Sequence, residues 1–186
     1  MIIFLTIISI IFLILAIFYF IFMIDILIFA HNLPTSKKAI LEVIKIIKKY
    51  NPKALNFYDL GCGHGKVVLE IKKEIPNLNV YGVDKNPIRI FFSKLKALIL
   101  KRKINFINEN IFNLDLSKAD ILYTYLWYDL MPILEEKVKK ELKKGAIVIT
   151  NTSHFSNLKP IETVRVHPEI KNENFEKLFI YKIDKD

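Results

Sequence analysis

A single cysteine, Cys62, excludes an internal disulfide framework and fits a reducing compartment. The histidines His31, His64, His154 and His167 fall at spacings that no metal site uses, so no metal ligand set is expected. No internal repeat, low-complexity tract or second core-sized segment interrupts the chain. Its 186 residues leave room for one domain and an accessory element. Neither an aromatic-interleaved basic platform nor a helix-turn-helix pattern is visible, so the net charge of +9 does not by itself imply nucleic acid, and no such partner is expected.

The least ordinary absence is at the amino terminus, where Met1 to Ala30 hold no lysine or arginine and one acid, Asp25. From Ile2 to Ile24 only Thr6 and Ser9 break an apolar run, and both hydroxyls can bond back to a helix backbone. A helix of that length reaches roughly 35 Å, enough to span the hydrocarbon core of a bilayer with some tilt. The alternative, a cleaved signal peptide, lacks a basic leading region, runs too long and has no small-x-small cleavage site. Residues 1–30 are therefore expected to be a single-pass membrane anchor and residues 31–186 the functional domain. All 28 Lys and Arg residues follow the anchor, beginning at Lys37 and Lys38, which places that domain on the cytoplasmic side. The same surplus favours contact with anionic headgroups, or is simply a solvated lysine-rich surface.

Beyond Asn32-Leu33-Pro34-Thr35-Ser36, where Thr35 or Ser36 can cap a helix, apolar positions Ala39, Ile40, Val43, Ile44, Ile46 and Ile47 give a helical face that Asn51-Pro52 ends. Strands are expected at 55–60, 79–83, 104–107, 119–126 and 146–150. Helices are expected at 66–74, from Pro87 to about Leu100, and from Pro132 to the stop at Gly145. Residues 162–166 and 175–183 alternate like strands. The order predicts a Rossmann-like α/β fold: a doubly wound, mostly parallel sheet of seven strands, closed by an antiparallel terminal strand and preceded by the apolar helix.

The chemistry-bearing segment is Asp59-Leu60-Gly61-Cys62-Gly63-His64-Gly65-Lys66, between the first of these strands and a helix. Glycines there let a ligand approach the backbone closely. Asp59 would repel a pyrophosphate and attract an ammonium or sulfonium, and Lys66 stands where a dinucleotide fingerprint needs its third glycine. Both features favour S-adenosylmethionine over NAD. Cys62 is small enough to pack under such a ligand. One strand later, Asp84 ends Asn79-Val80-Tyr81-Gly82-Val83, where a carboxylate can take both ribose hydroxyls. The bland alternative is a plain βαβ crossover with a solvated Asp84.

This pattern resembles motif I and the following acidic motif of the class I, seven-strand S-adenosylmethionine-dependent methyltransferases, from about Leu33 onward. Leu33-Pro34-Thr35, Asp120-Ile-Leu-Tyr-Thr-Tyr125-Leu126 and the absence of an inserted substrate domain resemble the small protein-lysine methyltransferases, both archaeal and those of the mitochondrial ATP synthase c-subunit. The resemblance implies a cofactor set of Asp59, Gly61, Cys62, Gly63, Gly65, Asp84 and Lys85. It adds Asn110, where relatives carry an aspartate, for the adenine amino group. It places Tyr125-Leu126-Trp127 opposite the transferable methyl, making Tyr125 and Trp127 catalytic candidates with Thr35, whose segment closes over the cofactor. By strand alternation Tyr123, Tyr125 and Trp127 share one face; aromatic walls there would exclude water yet tolerate a passing cation. For Tyr123 a plain core role is the stronger alternative. The Asp/Asn-Pro-Pro-Tyr signature used on planar nitrogens is absent, which argues against a nucleobase substrate. A protein lysine near the membrane is the expected substrate. A membrane-soluble quinone precursor or lipid, or a non-catalytic cofactor-binding tether, is the alternative.

Overall fold

A single seven-stranded sheet organises the computed structural model, which describes residues 1–28, 34–172 and 175–184. The chain divides into two units, residues 1–34 and 35–186.

The first unit is one helix, α1 (Ile2–Ile28), with the 19 residues Ile3–Ile21 long and apolar enough to cross a membrane. Phe4, Phe12, Leu13, Leu15 and Phe20 are all exposed. The expected Asn32-Leu33 break and His31 lie outside the described residues.

The second unit opens on α2 (Lys37–Tyr50), whose Ser36 cap accepts the Ala39 N–H at 3.0 Å. Its buried stripe is the six residues that helical periodicity picks out, Ala39 through Ile47. Then follow β1 (Asn56–Leu60), α3 (Lys66–Glu74), β2 (Asn79–Asp84), α4 (Pro87–Ile99), β3 (Asn105–Asn108) and β4 (Ile121–Thr124). A 3-10 turn (Tyr128–Leu130) leads into α5 (Met131–Glu141), and β5 (Ile147–Asn151), β6 (Glu162–Arg165) and β7 (Lys177–Lys182) complete the sheet. The sheet runs β3-β2-β1-β4-β5-β7-β6, with β1 to β5 mutually parallel and β7 antiparallel to both its neighbours.

Alternation along the strands sorts side chains into two cores. Phe57, Val80, Ile121, Tyr123 and Ile149 pack with α2, α3 and α4. Tyr58, Leu60, Leu122 and Val148 face Met131, Leu134 and Val138 of α5. Glu135, buried on α5, accepts the Ser156 and Asn157 N–H groups and so fastens the loop after β5.

The strand order reverses between β2-β1 and β4-β5, and ligands of open α/β sheets bind at the carboxyl edge of such a reversal. The glycine turn after β1 sits there.

One expectation is corrected. Residues 119–126 do not form one long strand: β4 stops at Thr124. Past it the chain leaves the sheet, with the Leu126 carbonyl accepting the Ser153 hydroxyl at 2.6 Å and the Trp127 carbonyl taking the Leu130 N–H. Tyr123 and Tyr125 still pack on the same side of the sheet, but Trp127 leaves their shared face. Tyr123 is 1% exposed, Tyr125 is half-buried, and Trp127 is 55% exposed.

Candidate functional site

Gly61, Gly63 and Gly65 all adopt positive φ (81°, 53° and 74°), the left-handed region that side chains other than glycine's disfavour. Their environments differ. A Cβ on Gly61 would press on Leu126 at 2.9 Å, and one on Gly65 on Ser93 and Phe106. At Gly63 it would meet nothing within 4 Å among the described residues, so the backbone there faces open space.

The turn is tied to β2 from two sides. The Gly61 and Cys62 N–H groups donate to the Val83 carbonyl, both at 2.9 Å. Asp84 accepts the Gly63 N–H on Oδ2 at 2.9 Å and the Asn86 N–H on Oδ1 at 2.8 Å. A residue expected to meet a ribose thus also holds two turns in register, and each oxygen keeps a lone pair for a ligand. Lys85 beside it is exposed. Cys62 is buried against Gly82, and burial pushes its thiol well above the ordinary range, so it is inert as a nucleophile.

Asp59 is 2% exposed, and its Oδ2 meets no hydrogen-bond donor among the described residues. Burial, reinforced by the nearby Asp84 carboxylate, raises its pKa to about 8. An orphaned buried carboxylate oxygen beside an open glycine backbone fits a ligand that carries positive charge at one end. S-Adenosylmethionine, with its ammonium and sulfonium, is such a ligand.

Asn110 lies in an exposed turn after β3, and its side-chain oxygen already accepts the Phe112 N–H at 3.1 Å. Only a second lone pair is left for an adenine amine.

Further along the same edge, Thr35, Tyr123, Asn151 and Glu176 join in one buried network. Tyr123 Oη lies 2.9 Å from Thr35 Oγ1. Asn151 Nδ2 donates to Tyr123 Oη at 3.2 Å and to Glu176 Oε1 at 3.1 Å. Ser36 N–H also donates to Glu176 Oε1, and His167 Nε2 lies 3.0 Å from Glu176 Oε2. Burial alone would raise the Glu176 pKa, but the hydrogen bonds from Ser36, Asn151 and His167 more than offset it and hold the carboxylate below the usual range. The Tyr123 phenol is pushed up by burial and stays protonated. Lys66, in the third-glycine position, donates to the Thr35 carbonyl at 2.7 Å and so binds the segment ahead of α2 to the turn.

Sequence reasoning named Thr35 but missed Lys66 and Glu176 and took Tyr123 as core. Glu176 falls within the alternating run 175–183, where a charged residue reads as a solvent-facing position, so nothing local marks it as buried. Lys66 could have been found, because a lysine opening the helix of a glycine turn needs an acceptor nearby. His154 is exposed, with Nδ1 3.0 Å from the Phe155 carbonyl oxygen. Leu33 lies outside the described residues.

The family profile of the ANTKMT methyltransferase domain matches residues 59–162. A protein-lysine N-methyltransferase of Saccharolobus islandicus is 26% identical over 135 residues, 72% of this chain and 83% of that protein. A carboxy-S-adenosyl-L-methionine synthase of Nautilia profundicola is 29% identical over 140 residues, 73% of this chain and 60% of that protein. Among solved structures, an RNA methyltransferase from Salinibacter ruber in complex with S-adenosyl-L-homocysteine superposes with a TM-score of 0.72. It covers 83% of this chain and 95% of its own at 18% identity, a likeness of fold.

Proposed function

The chain belongs to the ANTKMT methyltransferase domain family, and from that premise we propose that it methylates the side-chain amine of a protein lysine beside a membrane that α1 spans. It is an S-adenosylmethionine-dependent methyltransferase; the substrate, the anchoring and the residue roles below are our reading. The observation that carries the lysine assignment is the likeness to the Saccharolobus islandicus protein across 83% of its length. The row of oxygens at Thr35, Tyr123, Asn151 and Glu176 supports it, since an incoming cationic amine finds acceptors there.

When bound, S-adenosylmethionine supplies an electrophilic methyl on a sulfonium. Gly63 would give the close backbone approach, Asp84 would hold the ribose, and Asp59 would pair with the cationic end. Gly61, Cys62 and Gly65 shape the cradle; Lys85 and Asn110 flank it. A lysine amine arrives protonated near neutral pH and must pass that proton to solvent to become a nucleophile. Half-buried Tyr125 and rim-exposed Trp127 exclude competing water while tolerating a cation. Thr35 Oγ1 and Tyr123 Oη can accept the amine's N–H bonds and aim its lone pair.

Residues 1–30 act as a single-pass anchor, and the lysine-rich remainder, residues 31–186, lies on the cytoplasmic side, as the charge asymmetry supports. The test is methyl-labelled S-adenosylmethionine with membrane extract, separated into protein and lipid. Label on a protein lysine is expected; label confined to the lipid fraction would replace the substrate with a small molecule.

A further inference from the structure

From Lys85 to Asn108 the chain contains no acid, against the seven basic residues Lys85, Arg89, Lys94, Lys96, Lys101, Arg102 and Lys103. The segment is built around α4. One side of this helix, Arg89, Ile90, Ser93 and Ala97, is buried against the sheet. The opposite side is not polar, as a solvated helix face would be. It carries Ile88, Phe91, Leu95, Leu98 and Ile99, all exposed, with Leu98 at 74% and Ile99 at 70%; Leu100 follows, also exposed.

At 3.6 residues per turn these five positions cover an arc of roughly 100° centred opposite the buried face. Lys94 falls on one margin of that arc and Lys96 on the other. Lys85, Lys101 and Lys103 stand exposed at its two ends. Among the described residues none of these five lysines has an ion pair. Arg102 differs: it donates to the Leu69 carbonyl and pairs with Glu70. α5 also contrasts, since its lysines Lys137 and Lys139 are matched by Glu141, Glu135 and Glu136 on the same helix.

We propose that α4 is an interfacial helix that lies on an anionic bilayer, its Ile88–Ile99 stripe among the acyl-chain ends and its lysines at the phosphates. An apolar arc of this width with unpaired lysines on both margins is the pattern that inserts shallowly into a headgroup region. The charge also separates this occupant from a second copy of the chain, whose own lysines would meet these across the interface. This contact is separate from any anchoring by α1 and gives the domain a defined face toward the membrane.

The experiment uses the full chain carrying an environment-sensitive fluorophore on Leu98→Cys, and in a control on Ile133→Cys, an exposed position of α5. Cys62 is buried with its thiol pushed up, so it labels slowly. Vesicles contain phosphatidylcholine alone or with roughly a third phosphatidylglycerol, and quenchers are placed on the acyl chains. In anionic vesicles the label at 98 should be quenched several-fold more than that at 133, and Lys94→Gln with Lys96→Gln should reduce the difference. The proposal is overturned if the chain floats with anionic vesicles while position 98 stays unquenched, or if both positions quench alike. Equal quenching in uncharged vesicles, shielding of position 98 only by cross-linkable dimers, or failure to float with anionic vesicles overturns it as well. Flotation with uncharged vesicles reports on α1 and quenching in anionic vesicles on α4, so the two fail separately.

Discussion

Affinity for S-adenosylmethionine should rise steeply with pH and level off near pH 8, because Asp59 must ionise to meet a cation. Its carboxyl is raised from 3.8 to about 8 by burial and by Asp84, so near neutrality it is mostly protonated without ligand. Ionising it costs about 1.4 kcal/mol for each pH unit below 8, which sets a slope of about one decade in Kd per unit. Between pH 6 and pH 8 the expected gain is about 50-fold, because half of Asp59 is still protonated at pH 8. At pH 7 cofactor binding should release about 0.9 proton, the fraction of Asp59 still protonated there. Calorimetry in buffers of different ionisation enthalpy measures this directly. The sulfonium keeps its charge at every pH, whereas an α-ammonium titrates near 8, so a decline above pH 8 identifies the ammonium as the partner. A flat profile with no proton release would refute the pairing of Asp59 with the cationic end.

The same shift bears on folding, with opposite sign. Between about 4 and 8 the folded protein holds the Asp59 proton and the unfolded chain does not, so stability without cofactor declines as pH rises through that window. Asp59→Asn should remove that slope, raise the melting temperature near pH 8 and weaken cofactor binding there.

Gly63→Ala should cost about 1–2 kcal/mol of stability through its positive φ, since no neighbour is struck, yet lower cofactor affinity more than tenfold; a melt and a titration on one sample separate the two. Asp84→Ala should lose about 1.5–3 kcal/mol of cofactor binding and also loosen both turns, whereas Asp84→Asn, keeping one acceptor, should recover part of the melting temperature. Tyr123→Phe should leave cofactor affinity unchanged and lower kcat on a lysine substrate, with about 1–2 kcal/mol lost from the network; an unchanged kcat would return Tyr123 to the core.

What was legible in the sequence follows from the range of the forces involved. The glycine turn, the helix it opens and the acid of the next strand are set by local backbone demands within 26 residues, and they stand where spacing placed them. Strands β1, β2, β4 and β5 announce themselves by largely apolar runs, because both of their faces are covered. β4 misled because Tyr123, Tyr125 and Trp127 continue a period of two past the last paired residue. The strand's end is decided by Ser153, which arrives from the loop after β5 to take the Leu126 carbonyl. The Thr35–Glu176 network has the same character. Its four members come from the segment before α2, from β4, from β5 and from the approach to β7, with as many as 140 residues between Ser36 and Glu176. Each alone is an ordinary polar residue. Together they exist only because the antiparallel insertion of β7 beside β5 brings Glu176 to the Asn151 amide, and because Lys66 draws the Thr35 backbone down to the glycine turn. The segment that would cover a cofactor is therefore fastened at one end by the cofactor turn and at the other by the last strand pair. A change at either end should be felt in turnover before it is felt in affinity.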